Sequence, residues 1–324
     1  MSQQPAEEPG GGPIDVRGLL DPELAPVLGA FELPAMDADG IAMIRSTPFP
    51  APEVSDAVVR TEHVAPGEPP VPIRVHRPTG VDEVRPAIFT IHGGGYIIGS
   101  YLMDDFLHDA WGPQLGTVGV SVEYRLAPET PYPGPLEDCY TALAWTHEHA
   151  DELGIDPTRI GLYGISAGGG LAAALALLAR DRGEFPFAFQ LLDCPMLDDR
   201  QVTPSLAAHG LYVWSAASNE FGWRSYLGDL YGSGDIPPYA AAARATDLAG
   251  LPPACIVVGS IDGFRDEDVD YARRLNQAGV PCELHVIAGL PHAYQLVPDA
   301  RAVRLATHCK DDWLARQLGR LAAP

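Results

Sequence analysis

The sequence predicts an α/β fold: a mostly parallel central sheet flanked by helices, with a helical cap. Three observations carry this reading. From residue 86 onward, short apolar runs rich in Val and Ile alternate with helical patterns, the pattern of a parallel sheet covered on both faces. Two of the runs, "PAIFTI" and "RIGLYGI", lead directly into glycine-rich stretches, "HGGG" and "SAGGG". The segment 198–235 breaks the alternation and carries Tyr212, Trp214, Phe221, Trp223 and Tyr226. An insertion between sheet strands lies over the strand ends, where such sheets build their sites.

The elements follow in order. "MSQQPAEEPGGGP" is polar and rich in Pro and Gly, so residues 1–14 read as a disordered tail. Residues 15–50 read as helical pieces interrupted by Pro and Gly. They carry Leu19, Leu20, Leu24, Val27, Leu28, Met36, Ile41 and Ile44 at helical spacing. Such side chains must pack on something, and the aromatic insertion is the expected partner, making 15–50 the first part of a cap and 198–235 the second. "VVRTEHV" and "VPIRVHRP" read as an antiparallel pair around the turn "APGEPP". "PAIFTI", "TVGVSVEY", "RIGLYGI", "FAFQLLDCPM", "ACIVVGSID" and "CELHVIAGL" read as strands. "LEDCYTALAWTHEHADELG" has helical periodicity and stops at a Gly. Residues 167–180 form a very apolar helix, "DEDVDYARRLNQAG" a helix between the last two strands, and 298–320 a closing helix. The core is thus expected over 51–197 and 236–324.

Composition excludes some functions. The chain has 324 residues, 43 acidic and 21 basic, a formal net charge of −22, which disfavours nucleic acid and anionic membrane as partners. No apolar run reaches the roughly 18 residues of a membrane span. Cys139, Cys194, Cys255, Cys282 and Cys309 are scattered, with no C-x-x-C pair. They read as reduced, mostly buried thiols of a cytoplasmic protein.

The chemistry starts at Gly164, Ser166 and Gly168, which fit G-x-S-x-G between a strand and a helix. A strand that turns at once into a helix strains the residue at the turn, and its neighbours two positions away must be small. The serine then stands exposed at a helix N-terminus, as a nucleophile requires. Three successive glycines, Gly93 to Gly95, follow another strand and let main-chain N–H groups approach a ligand closely. Such donors hold a developing oxyanion, each contributing roughly 3–4 kcal/mol to the transition state.

Together these segments resemble the hormone-sensitive-lipase-like branch of the α/β-hydrolases. The resemblance covers roughly residues 60–320. It includes "HGGGY" (92–96), "EYRLAPETPYP" (123–133), "LEDCYTAL" (136–143), "GIDPTRI" (154–160), "GISAGG" (164–169), "PMLDDR" (195–200), "DGFRDE" (262–267) and "GLPHAY" (289–294). It implies an α/β-hydrolase fold with an N-terminal helical cap, and carboxylester hydrolysis without cofactor or metal. Ser166 matches the family's nucleophile, Asp262 its acid and His292 its base, in the chain order this fold requires. Gly94, Gly95 and the amide of Ala167 match the oxyanion hole, with His92 and Gly93 supporting the loop. The commonest family elbow is G-D-S-A-G, and Ile165 here replaces its acid. The implied partner is a small-molecule ester, with a homodimer allowed and neither nucleic acid nor integral membrane contact.

Rival assignments have plainer readings. Asp266, Glu267, Asp268 and Asp270 fall in the first turns of a helix, where acids favour the dipole. His285 lies inside a strand. His147 and His149 are two positions apart on a helix, so they point to different faces and read as solvated. Glu123 and Arg125 read as braces of the sheet edge and loop, and Cys194 as a core residue. The function expected is serine carboxylester hydrolysis through an acyl-enzyme, on small to medium acyl esters. The alternatives are an amide hydrolase or deacetylase using the same triad, and a non-catalytic small-molecule receptor on the same fold. The histidine in the "GLPHAY" slot favours an enzyme over the receptor.

Overall fold

The structure, a computed structural model, describes residues 13–31, 33–47, 54–80 and 83–319. The expected disordered tail falls outside these residues except for its last two positions. Among the described residues, eight strands form one sheet: β1 (Val58–Ala65), β2 (Val71–Pro78), β3 (Arg85–Ile91), β4 (Val118–Val122), β5 (Ile155–Ile165), β6 (Phe189–Asp193), β7 (Ala254–Gly259) and β8 (Cys282–Ile287). The helices are α1 (Ala25–Leu28), α2 (Ala38–Ser46), α3 (Asp105–Leu115), α4 (Gly134–Glu148), α5 (Ala150–Leu153), α6 (Ala167–Arg182), α7 (Ala216–Leu227), α8 (Arg265–Gln277) and α9 (Arg301–Gln317). The strand order is β1-β2-β4-β3-β5-β6-β7-β8. β1 pairs antiparallel with β2, as the "APGEPP" turn implies, and β2 antiparallel with β4. All later pairings are parallel.

Burial follows this topology. Every residue of β4, β6 and β7 is buried, because helices cover both faces of the parallel part. One face packs Leu136 and Leu143 of α4, Leu171 and Leu175 of α6, and Tyr271 and Leu275 of α8. The other packs Trp111 and Leu115 of α3 with Val303, Trp313 and Leu314 of α9.

The topology also fixes where a ligand can bind. From β3 the chain crosses to β4 on one side, then returns through α4 and α5 to β5 on the other side of β3. The ends of β3 and β5 therefore flank the point where the winding reverses, which opens a crevice at the C-terminal edge. Ile91 of β3 pairs with Gly164 of β5, so both glycine-rich stretches leave the sheet side by side at that crevice.

Three readings need correction. Helix α3 has no counterpart in the sequence reading. Its inward positions include Asp105 and His108 beside Trp111 and Leu115, and Pro113 sits inside it, so its apolar periodicity is broken. The 147–149 pair is not a solvated face. The His147 ring packs against the Phe185 ring at 5.2 Å, and His149 stacks on Trp145 at 4.6 Å. The N-terminal aliphatics find the core as well as the insertion. Leu24 and Leu28 join the α3–α9 face beside Ile287, Leu290 and Tyr294. Met36 and Ile41 join the large cluster that also holds Trp214, Trp223 and Tyr226, while Leu19 and Val27 are exposed. Direct ties to the insertion run through the main chain of Val16 to His209 (3.0 Å) and the Tyr212 hydroxyl to the Arg17 carbonyl (2.9 Å).

The burial of α1 makes a testable demand. Leu28 is 1% exposed, so Leu28→Ala is expected to cost about 2–5 kcal/mol of stability. Chemical denaturation of the purified variant measures this. An unchanged midpoint and slope would remove α1 from the folded core.

Candidate active site

Ser166 sits between the last residue of β5 and the first of α6, at φ 56° and ψ −123°. A non-glycine residue in this region costs about 1–3 kcal/mol and persists only where its surroundings over-determine it. Here they do. Its N–H donates to the Asp193 carbonyl at 2.9 Å, and its carbonyl accepts from Met196 N–H at 2.9 Å. The turn also needs its glycines. A Cβ on Gly164 would stand 2.2 Å from the Gly168 carbonyl oxygen, and one on Gly168 would stand 2.1 Å from that of Ile91.

The other two side chains arrive on loops after β7 and β8. These loops are stitched together: Ser260 N–H donates to the Ile287 carbonyl at 2.8 Å, and Ile261 N–H to the Leu290 carbonyl at 3.2 Å. The Ser166 Oγ lies 2.9 Å from His292 Nε2. His292 Nδ1 lies 2.8 Å from Asp262 Oδ2, and the other Asp262 oxygen accepts from Phe264 N–H at 2.9 Å. The Phe264 ring meets the imidazole edge-on at 5.0 Å. All three polar side chains are buried.

Most of the rival acids and histidines are engaged elsewhere, while among the described residues neither carboxylate oxygen of Asp268 meets a hydrogen-bond partner. Glu267 accepts from Leu197 and Asp198 N–H, Asp266 from Ser205 N–H, and Asp270 pairs with Arg273. Glu267 and Asp268 differ from the dipole reading in being fully buried, which pushes both carboxyls well above their usual range. His285 pairs with Glu283. Arg125 forks onto Asp138 and Glu123 accepts from Tyr101 N–H.

The 92–99 loop leaves β3 beside Ser166. Gly94 (φ 120°) and Gly95 (φ 60°) take conformations that L side chains rarely adopt. A Cβ on Gly94 would meet the Ile98 carbonyl oxygen at 2.1 Å, and one on Gly95 the Trp214 ring at 2.2 Å. Among the described residues, the N–H groups of Gly94 and Gly95 donate to no protein acceptor. His92 underpins the loop: its Nδ1–H donates to the Gly93 carbonyl at 2.8 Å, and its ring stacks on Tyr124 at 4.2 Å. Burial holds its imidazole down to about 4, against the opposing pull of that hydrogen bond.

These groups open onto a pocket of about 280 Å³. Phe31 and Leu33 reach it from the N-terminal segment, and Val213 and Trp214 from the 198–235 insertion. Cys194 lines it as well, at φ 41° and fully buried, so it is both a core and a pocket residue. Its sulfur lies within 4.8 Å of a His292 nitrogen and an Asp262 oxygen. Burial, with Asp193, Asp262 and Asp268 nearby, pushes its thiol well up, so it stays protonated and a poor nucleophile. Sequence periodicity carried no signal for the pocket roles of Cys194, Phe31 or Asp104, which meet there from distant parts of the chain.

The serine, imidazole and carboxylate form one hydrogen-bonded chain beside main-chain donors, an arrangement suited to nucleophilic attack on a carbonyl. Residues 88–296 match a family model described as the alpha/beta hydrolase fold. The chain is 36% identical to the esterase LipI of Mycobacterium tuberculosis over 292 residues, covering 86% of this chain and 89% of that protein. Among solved structures it is similar to a bacterial heroin esterase, with a TM-score of 0.86, 40% identity and coverage of 94% and 99%. It is also similar to the esterase LipW of Mycobacterium marinum, with a TM-score of 0.83, 33% identity and coverage of 94% and 98%. The chain belongs to the hormone-sensitive-lipase-like branch of the α/β-hydrolases, a family of carboxylic ester hydrolases.

Proposed function

We propose that this protein is a serine carboxylesterase that hydrolyses small to medium acyl esters through an acyl-enzyme. The observation that carries this reading is the chain from Ser166 Oγ to His292 Nε2 (2.9 Å) and from His292 Nδ1 to Asp262 (2.8 Å). It stands at the pocket wall with free glycine N–H groups beside it. Ser166 gives its proton to His292 Nε2 as its Oγ attacks the ester carbonyl carbon. The negative charge that builds on the carbonyl oxygen is held by the N–H groups of Gly94, Gly95 and Ala167. The imidazolium then protonates the departing alkoxide, leaving an acyl group on Ser166. His292 next takes a proton from water, whose oxygen attacks the acyl carbon and restores Ser166. Asp262 accepts from Nδ1–H throughout, which fixes the tautomer and stabilises the imidazolium.

Pocket size and lining support the substrate class. A volume of about 280 Å³ lies near the lower end for small-molecule sites. The walls from residues 31–33 and 213–214 support a cap whose task is substrate fit. Five unpaired cysteines support a reducing, cytoplasmic setting.

Two outcomes check the reading. Ser166→Ala deletes one hydroxyl and is expected to lower kcat on a nitrophenyl ester by about a millionfold while the melting temperature holds. Residual turnover near the wild-type rate would remove Ser166 as nucleophile. His292 accepts a proton only while Nε2 is unprotonated, so kcat/KM is expected to fall toward acidic pH in a single main limb. A profile with no acid limb at any pH where the protein stays folded contradicts a histidine base.

A further inference from the structure

Beneath the Ser166 turn lies a charged group that the hydrolytic cycle leaves without a task. Asp193, the last residue of β6, is fully buried. Its carboxylate accepts from Lys310 Nζ at 2.5 Å, the Tyr294 hydroxyl at 2.6 Å, Gln295 Nε2 at 3.1 Å and the Tyr163 hydroxyl at 3.2 Å. Lys310 comes from α9 and is itself only 4% exposed. The main-chain carbonyl of the same Asp193 accepts from Ser166 N–H at 2.9 Å. Tyr294 and Gln295 follow His292 directly, across Ala293 at φ 58°. One residue therefore grips the nucleophile through its main chain and the base-bearing turn through its side chain.

Stability alone is a weak reason for such a pair, because taking both charges from water offsets most of their attraction. An apolar pair of similar volume would fill the same space. The pair does supply directional constraint. A carboxylate that accepts from several donors fixes each of them, and the ammonium holds it in place. Its position is also telling: Asp193 is the register partner of Ile165. The acid absent from position 165 of the elbow thus stands one strand away.

We propose that Asp193 and Lys310 are positioning residues for the hydrolysis described above, setting the separation of Ser166 Oγ and His292 Nε2 by tying the end of β6 to the 292–296 turn. This rests on reading Ser166 and His292 as nucleophile and base. Without Lys310, the buried carboxylate loses its counter-charge, and Tyr294 and Gln295 lose a fixed acceptor. The turn is then free to shift, and a displacement near 1 Å at reacting atoms costs about a hundredfold in rate.

Two variants test it. Tyr294→Phe removes only the hydroxyl from a fully buried ring, and Lys310→Met removes the charge at similar volume. For each, kcat and KM on one ester are measured together with the second-order rate at which a fluorophosphonate modifies Ser166. The second rate reads the serine–histidine pair without a deacylation step. Both rates are expected to fall about 10- to 100-fold with KM little changed. Folded variants that lose melting temperature yet keep wild-type kcat and phosphonylation rate would show the pair to be structural only and overturn the proposal. If Lys310→Met does not fold, Tyr294→Phe decides alone. A wild-type protein that fails to take the label on Ser166 overturns the hydrolytic reading as well, so the two failures are distinguishable.

Discussion

The structure depends on one main-chain contact at the reversal point of the sheet. The end of β3 and the first turn of α6 lie so close that a Cβ on Gly168 would stand 2.1 Å from the Ile91 oxygen and 2.3 Å from that of His92. Only glycine fits there. The contact holds the 92–99 loop against the Ser166 turn, so a Cβ on Gly93 would already come within 3.3 Å of the Ser166 Cβ. The glycine loop and Ser166 are thereby held side by side at the edge of the sheet. The strain at Ser166 follows from the same geometry and is held by hydrogen bonds at both its N–H and its carbonyl.

Several buried polar groups around the site are each tied to the element they orient. Asp262 is held by Phe264 N–H, His292 by Asp262, and Asp193 by Lys310. Trp214 seats its ring over Gly95 and anchors its Nε1–H on Asn219, which in turn donates to Gln201. The insertion thus reaches the glycine loop through packed contacts, and Tyr226 stacks on Tyr96 at 4.0 Å to continue that packing. Pocket shape and loop geometry are coupled, so substitutions in the insertion act on both.

Much of this was legible in the sequence because it rests on local rules. Gly164, Ser166 and Gly168 announce the turn, the three glycines after β3 announce the donor loop, and strand–helix alternation announces the sheet. What was not legible is long-range. Helix α3 hides because its buried face uses Asp105 and His108, and the partners of Asp105, Arg74 and His76 on β2, lie 31 and 29 positions earlier in the chain. His147 and His149 are half-buried because aromatic rings happen to cover them. Lys310 looks like any charged residue on a terminal helix until β6, 117 positions earlier, brings Asp193 to it. Periodicity reads one element at a time, and these features belong to pairs of elements.

The central claim is that the strand ends present a nucleophile and an oxyanion site at a fixed spacing. The measurement that tests it most directly is a crystal structure of the protein after reaction with a small phosphonate ester. The account predicts phosphorus bonded to Ser166 Oγ and one phosphonyl oxygen about 2.7–3.1 Å from the N–H groups of Gly94, Gly95 and Ala167. An adduct on another side chain, or a phosphonyl oxygen turned away from all three amides, would contradict it.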